Sequence, residues 1–138
     1  MPHLLNKSEE NIKAANKLIS SGYFASSVHS SYYSCLQLMS HILEKSFGMG
    51  FEKINELASN EGTGSHVIIT NKIKDGLMGS KNKNFMELQS FHANIGILKR
   101  KRVDADYRNV VIEKKNSDDC FKMANDARAI LKKYFSIK

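Results

Sequence analysis

The sequence YFASSVHSSYYSCLQLMSHILEKSF, residues 23–47, contains the longest helical pattern in this chain of 138 residues. Its apolar side chains recur every three or four positions, which is the spacing of one face of an α-helix. They are Phe24, Ala25, Val28, Tyr32, Cys35, Leu36, Met39, Ile42 and Leu43. We therefore expect a long central helix that buries this face. Its first half is rich in serine, and such small side chains allow a neighbouring helix to approach closely.

Further helical patterns lie on both sides of the central helix. Ser8 can cap a helix that ends at Gly22, and Ser65 can start a later one, because serine accepts a hydrogen bond from the first turn. Gly96, inside another of these patterns, suggests a close contact between helices. The predicted helices cover residues 8–22, 65–76, 85–102 and 117–134, with a short helical turn at 51–58 whose inward residues are Phe51, Ile54 and Leu57.

The fold class that these patterns predict is all-α. The only proline is Pro2, so the strongest helix breaker is missing from the rest of the chain. Residues 67–70, VIIT, also suit a strand, but no partner strand is predicted and we assign them to a helix. We expect one domain, residues 1–138, folded as an up-and-down bundle of four or five helices.

Charge, hydropathy and cysteines restrict the classes of function. The net charge of +7 and the pI near 9.4 favour an acidic partner such as nucleic acid, because cations that neutralise phosphates release counterions. No apolar run approaches the length of a membrane span, and no secretory signal is present. Cys35 and Cys120 are far apart on apolar helix faces, so we expect reduced core thiols and a cytoplasmic protein without membrane contact.

Standard catalytic and cofactor motifs are absent from the sequence. Residues 62–65, GTGS, lack the Gly-Lys-Ser/Thr of a phosphate-binding loop, and there is no His-Glu-x-x-His, Gly-x-Ser-x-Gly or Cys-x-x-Cys. The five histidines include no pair four positions apart. We expect no metal site and no cofactor, and we expect His29 and His41 to be exposed or hydrogen-bonded.

Residues 99–108, KRKRVDADYR, concentrate five cations, two carboxylates and an aromatic side chain near the end of a predicted helix. Together with GYFASSVHSSYY at residues 22–33 and GSH at 64–66, this segment resembles the HEPN (higher eukaryotes and prokaryotes nucleotide-binding) domain family. Members have a glycine-tyrosine entry to the second helix, a serine-histidine helix start and a late Arg-x-x-Ala-Asp-Tyr. The resemblance covers nearly the whole chain, in order and in spacing.

The resemblance implies a helical bundle that dimerises and associates with RNA or nucleotides, often beside a nucleotidyltransferase or in a toxin–antitoxin pair. Ribonuclease members have an arginine followed, after four to six residues, by a histidine, and two copies meet across the dimer to cleave RNA without metal. Here Tyr107 stands at the histidine position after Arg102. Tyrosine keeps its proton at neutral pH and is a poor general base.

We therefore expect a homodimeric HEPN-like module that engages RNA, a nucleotide or a nucleotidyltransferase or antitoxin partner without strong catalysis of its own. Arg102 suits phosphate because guanidinium is permanently charged and can bond two oxygens. The cations expected to bind nucleic acid are Lys99, Arg100, Lys101, Arg102 and Arg108, and the supporting residues are Asp106, Tyr32, Tyr33 and His66. Arg102 could instead pair with Asp106 while Tyr107 packs against the bundle.

Two other functions stay open at this point. One is a metal-independent ribonuclease toxin in which Arg102 acts with Tyr107 or His92. The other is an interaction adaptor whose contact face is the small-residue side of the central helix, formed by Ser26, Ser30 and Ser34.

Overall fold

The computed structural model describes residues 2–138, and all regular structure in that range is helical. The helices are α1 (Pro2–Ser20), α2 (Phe24–Phe47), α3 (Phe51–Glu61), α4 (Ser65–Met78), α5 (Phe85–Tyr107) and α6 (Lys114–Tyr134). The predicted all-α class is confirmed, but the predicted number of four or five helices is wrong. Residues 51–58, expected to be a short turn, belong to a complete helix of 11 residues that Gly62 closes in the left-handed conformation.

α2 is the central helix, as its apolar pattern predicts, and it packs against α1, α4, α5 and α6. The small-residue side of α2 is covered by α1. The hydroxyl of Ser27 donates to the carbonyl oxygen of Ala15 over 2.8 Å, across this contact. Ser30 and Ser34 are buried within the chain, so the adaptor surface expected at Ser26, Ser30 and Ser34 is wrong for two of its three residues.

Two predicted helix starts are wrong because the serines act inside helices. α1 begins at Pro2, so Ser8 lies in its second turn, fully buried, where its hydroxyl donates to the carbonyl oxygen of Ser34. α6 begins at Lys114, and Ser117 is buried in its first turn. Glu113 and Asn116 form a capping box at the start of α6: the Glu113 side chain accepts from the backbone N–H of Asn116, and the Asn116 side chain accepts from the backbone N–H of Glu113. A serine with a tertiary acceptor therefore does not mark a helix end.

The β-branched segment at 67–70 is helical, as predicted, and lies in α4. Ile68 and Ile69 are buried in the core. The expected cap by Ser65 is wrong, since Gly64 precedes the helix and no side chain caps it. Phe51 is also not inward, because it is the first residue of α3 and is 81% exposed, whereas Ile54, one turn later, is buried.

One hydrophobic cluster contains side chains from all six helices. Cys35 and Cys120 belong to it as free thiols, which confirms the expectation of unbridged core cysteines. Burial raises the pKa of Cys35 to about 12 and that of Cys120 to about 11. Within residues 2–138, no helix combines the length and the apolar character that a membrane crossing requires.

The close helix approach expected at Gly96 is found at Gly76 instead. A Cβ atom on Gly76 would lie 3.0 Å from Cζ of Phe47 and 3.2 Å from Cζ of Phe135. A Cβ atom on Gly96 would meet only the terminal nitrogen of Arg100, at 3.7 Å. Gly76 therefore makes room for two aromatic rings, whereas Gly96 faces space that a methyl group could occupy.

A partly buried ion pair connects the first helix to the last. The guanidinium of Arg128 on α6 lies 2.9 Å from Oε1 of Glu9 on α1, and Lys132 lies 2.7 Å from the same oxygen. Arg128 also donates to the hydroxyl of Ser8 over 3.2 Å. This network holds α1 against α6 beside the central helix.

Candidate nucleic-acid interface

Helices α2, α4 and α5 bring together seven polar and aromatic residues that are distant in sequence. We call them the Arg102 cluster. Its members are His29, Tyr32 and Tyr33 from α2, His66 from α4, and Arg102, Asp106 and Tyr107 from α5. Six of these seven were candidate or supporting residues in the sequence, and the seventh, His29, was expected only to be exposed or hydrogen-bonded. The structure joins all seven through ring and charge contacts.

Arg102 lies at the centre of the cluster and is 7% exposed. Its guanidinium carbon lies 5.1 Å from the ring centre of Tyr32, 5.7 Å from that of Tyr33 and 5.6 Å from that of Tyr107. Such contacts stabilise a cation through the electron-rich faces of the rings. Among residues 2–138, none offers a hydrogen-bond acceptor to the buried Nε of Arg102.

Asp106 neutralises Arg102 only in part. Its Oδ2 atom lies 3.7 Å from Nη1 of Arg102, which is an ion pair one helical turn apart but too long for a hydrogen bond. The same carboxylate is hydrogen-bonded to Nδ1 of His29, with distances of 2.8 and 3.0 Å to its two oxygens. The pairing of Arg102 with Asp106 expected from the sequence is present, and His29 competes for the carboxylate.

His29 is the member whose position sequence reasoning did not foresee. Its ring stacks on Tyr33 with centres 4.5 Å apart and an angle of 29° between the planes. The four-residue spacing of His29 and Tyr33 on α2 indicates this contact, but Asp106 is 77 positions away in the chain. Local patterns therefore predict one partner of His29 and not the other.

Tyr32 and His66 form the inner side of the cluster. The hydroxyl oxygen of Tyr32 lies 2.9 Å from Nδ1 of His66, and burial raises the pKa of Tyr32 to about 12, although the Arg102 charge opposes the rise. Burial and the nearby charges of Arg102 and Lys99 lower the pKa of His66. His66 is therefore neutral at pH 7. We assign the Tyr32 hydroxyl as the donor, because no other acceptor for its proton is found in the described chain, and the imidazole proton is then on Nε2.

Tyr107 is the outer wall of the cluster rather than a packed side chain. It is 74% exposed, so the alternative in which Tyr107 packs against the bundle is not found. α5 ends at this residue and Arg108 continues in an extended conformation, which leaves nothing to cover the outer face of the ring. One face of the ring is turned toward Arg102.

The five cations expected to bind nucleic acid do not form one patch. Lys99 precedes Arg102 by three positions and lies on the same side of α5, close enough to His66 to affect its charge. Lys101 instead lies near Cys120 of α6, where its charge acts to lower the pKa of the thiol. Arg108 is paired with Asp104 over 3.4 Å. The turn of 100° per residue distributes consecutive cations around a helix, so Arg102 and Lys99 are the pair that faces the cluster.

His92, the other histidine considered for catalysis, is not in the cluster. It precedes Arg102 by ten positions on α5, which corresponds to about 15 Å along the helix axis. It lies beside Met78 and Lys74 of α4, and burial and the Lys74 charge lower its pKa. A joint role for His92 and Arg102 within one chain is therefore excluded by their separation.

The arrangement provides charge, aromatic faces and hydrogen-bonding groups, but no metal ligands in a group. In the described range, no three His, Cys, Asp or Glu side chains are placed to hold a metal ion. Comparison with known proteins adds no assignment: no family model matches the chain, and neither a curated protein nor a solved structure matches it.

Proposed function

We propose that this chain is a HEPN-like module that binds RNA through the phosphate backbone, with the Arg102 cluster as its contact site. The observation that carries the proposal is the incomplete neutralisation of Arg102. Its guanidinium is nearly buried, its Nε atom has no acceptor in the described structure, and its carboxylate partner is 3.7 Å away.

A buried cation without its full set of hydrogen bonds destabilises the protein, because burial removes its hydrating water and too few protein acceptors replace that water. A phosphate oxygen supplies both the negative charge and the acceptors that a guanidinium requires. Lys99 adds a second cation on the same side, and the net charge of +7 attracts polyanions over a longer range.

The aromatic members support RNA rather than a simple anion as the ligand. Tyr107 is largely exposed, and the stacked rings of His29 and Tyr33 lie at the surface of α2. Unpaired bases stack on such faces, and single-stranded RNA is recognised mainly in this way. The proposal includes homodimerisation and pairing with a nucleotidyltransferase or antitoxin, which the family resemblance supports.

The test is the binding of a fluorescent single-stranded RNA at several salt concentrations to the wild-type protein and to Arg102→Met. Methionine keeps the packing against Tyr32 while it removes the charge. We expect affinity to fall by about tenfold or more, as for the loss of a charged hydrogen bond, with a smaller salt dependence. Lys13→Ala, an exposed cation on α1, is the control for net charge.

Equal RNA affinity of Arg102→Met and Lys13→Ala would refute the site. Thermal unfolding of both variants establishes that any loss is not caused by unfolding. Light scattering of the same samples measures the oligomeric state, so the dimer is tested separately from RNA binding.

A second candidate function, metal-independent RNA cleavage, is favoured by one observation. The sequence has no histidine soon after Arg102, but two imidazoles, those of His29 and His66, belong to the Arg102 cluster. The test is cleavage of cellular RNA in EDTA, together with growth arrest on expression. Cleavage that persists in folded Arg102→Met and His66→Gln variants argues against this function.

A further inference from the structure

A cavity lined in part by His66 opens between α1, α2, α3 and α4. We call it the His66 cleft. Its volume is about 220 Å³, and its walls are mostly apolar and include Leu36, Met49, Ile54 and Ile69. The cleft is lined by His66 itself, so one side chain belongs to both the cleft and the Arg102 cluster.

The size of the cleft suits one planar bicyclic group. An apolar protein cavity of about 150 Å³ accommodates a benzene molecule. The His66 cleft, at about 220 Å³, exceeds that volume by roughly the space of a second fused ring. Aliphatic walls and the thioether of Met49 are suitable contacts for the faces of such a ring system.

Polar groups at the margin of the cleft require hydrogen-bonding edges on the occupant. In the assigned tautomer, in which Nδ1 accepts from the Tyr32 hydroxyl, Nε2 of His66 carries the proton and is a donor. The exposed amide of Asn55 offers a donor and an acceptor. The hydroxyl of Ser40 gives its proton to the carbonyl oxygen of Leu36 and keeps its oxygen as an acceptor. A hydrocarbon would offer these groups no hydrogen-bond partner, whereas a purine presents acceptors and donors along its edges.

The position of the cleft relative to the cations identifies the source of the purine. Tyr32 contacts both His66, with ring centres 5.7 Å apart, and the Arg102 guanidinium, 5.1 Å from its ring centre. His66 and Tyr32 therefore connect the cleft to the Arg102 guanidinium. We propose that the His66 cleft is a purine pocket, filled by an unstacked base of the RNA strand held at the Arg102 cluster. The inference rests on the proposed function.

The experiment compares oligoadenylate with oligouridylate of equal length, each binding to wild-type protein, Asn55→Ala and Ile69→Phe. Ile69→Phe fills the cleft with a ring, Asn55→Ala removes an edge contact from an exposed position, and Asn60→Ala on the same helix is the control. We expect wild type and Asn60→Ala to prefer oligoadenylate by about tenfold, the usual effect of one base contact. The preference should disappear in the two cleft variants while the salt dependence stays unchanged.

A parallel titration uses the fluorescent base 2-aminopurine, free and within the oligoadenylate. The chain has no tryptophan, so the probe can be excited without interference from that residue. Equal wild-type affinity for both oligonucleotides, or a purine preference that survives both cleft variants, would overturn the inference while leaving RNA binding intact. If neither oligonucleotide binds, the proposed function fails, and the titration with free 2-aminopurine then tests the pocket alone. A fluorescence change that is lost in Ile69→Phe supports a purine pocket for a free nucleotide, and the absence of any change overturns the pocket.

Discussion

We predict that Glu9→Gln lowers the free energy of unfolding, because the buried Arg128 guanidinium then loses its carboxylate partner. The two side chains are 2.9 Å apart, and Lys132 shares the same oxygen of Glu9 at 2.7 Å. Breaking a fully buried ion pair costs about 3 to 5 kcal/mol, whereas an exposed pair contributes at most about 1 kcal/mol. The side chain of Glu9 is 36% exposed, so solvent screens it and we expect a loss of about 2 kcal/mol.

The assay is urea unfolding followed by circular dichroism, with Glu10→Gln as the control. Glu10 is the exposed neighbour on α1, and the two variants change the net charge equally. We expect Glu10→Gln to remain within about 0.5 kcal/mol of wild type, as most surface substitutions do. Equal stability of the two variants at neutral pH would show that Arg128 does not depend on Glu9.

The same comparison at low pH gives an independent check. Burial acts to raise the pKa of Glu9, but hydrogen bonds from Lys132 and Arg128 outweigh it and hold the pKa below its ordinary value of 4.5. A carboxyl with a lowered folded-state pKa stabilises the protein above its ordinary pKa and loses that effect as pH falls through the folded value. The difference between wild type and Glu9→Gln should be complete above the ordinary pKa and vanish in strong acid. A difference that persists in strong acid contradicts the ion-pair explanation.

Three further predictions concern the core and the Arg102 cluster. Gly96→Ala should stabilise the protein by up to about 1 kcal/mol, whereas Gly76→Ala should not, because its methyl group would crowd the rings of Phe47 and Phe135. Equal effects of the two substitutions in urea unfolding would contradict this difference in packing. Arg102→Met should raise the pKa of His66, because that pKa is lowered by burial and then by the Arg102 charge. An NMR titration of the imidazole measures this pKa, and an unchanged midpoint would show that the Arg102 charge does not act on His66. Tyr107→Ala should weaken RNA binding by about 1 to 3 kcal/mol with its salt dependence retained, whereas Tyr107→Phe should bind normally; equal losses would point to the hydroxyl rather than the ring.

Sequence patterns predicted the parts of the candidate site that share one helix. Arg102 follows Leu98 by one turn and is buried on the same side of α5, and Asp106 follows Arg102 by another turn. Periodicity left open whether Tyr107 packs against the bundle, and the structure shows it 74% exposed at the end of α5. The same periodicity shows why five adjacent cations do not make a single patch.

The helix starts show a related limit. Serine is a common helix-capping residue, yet the hydroxyl of Ser8 is hydrogen-bonded in the core to Ser34 and Arg128. A serine oxygen can satisfy a free backbone amide or a partner on another helix, and both choices remove the same unpaired polar group. Only the packing of α1 against α6 decides between them.

The all-α class and the long central helix follow from the order of residues alone, since both depend on local spacing and on the absence of proline after Pro2. Two hydrogen bonds, His29 to Asp106 and Tyr32 to His66, join residues that are 77 and 34 positions apart in the sequence. They form only when α2, α4 and α5 pack together. The physical reason is that an apolar stripe specifies which face of a helix is buried but not which helix covers it. The charge and proton positions of the Arg102 cluster depend on that choice, because burial and neighbouring cations determine the pKa of each group.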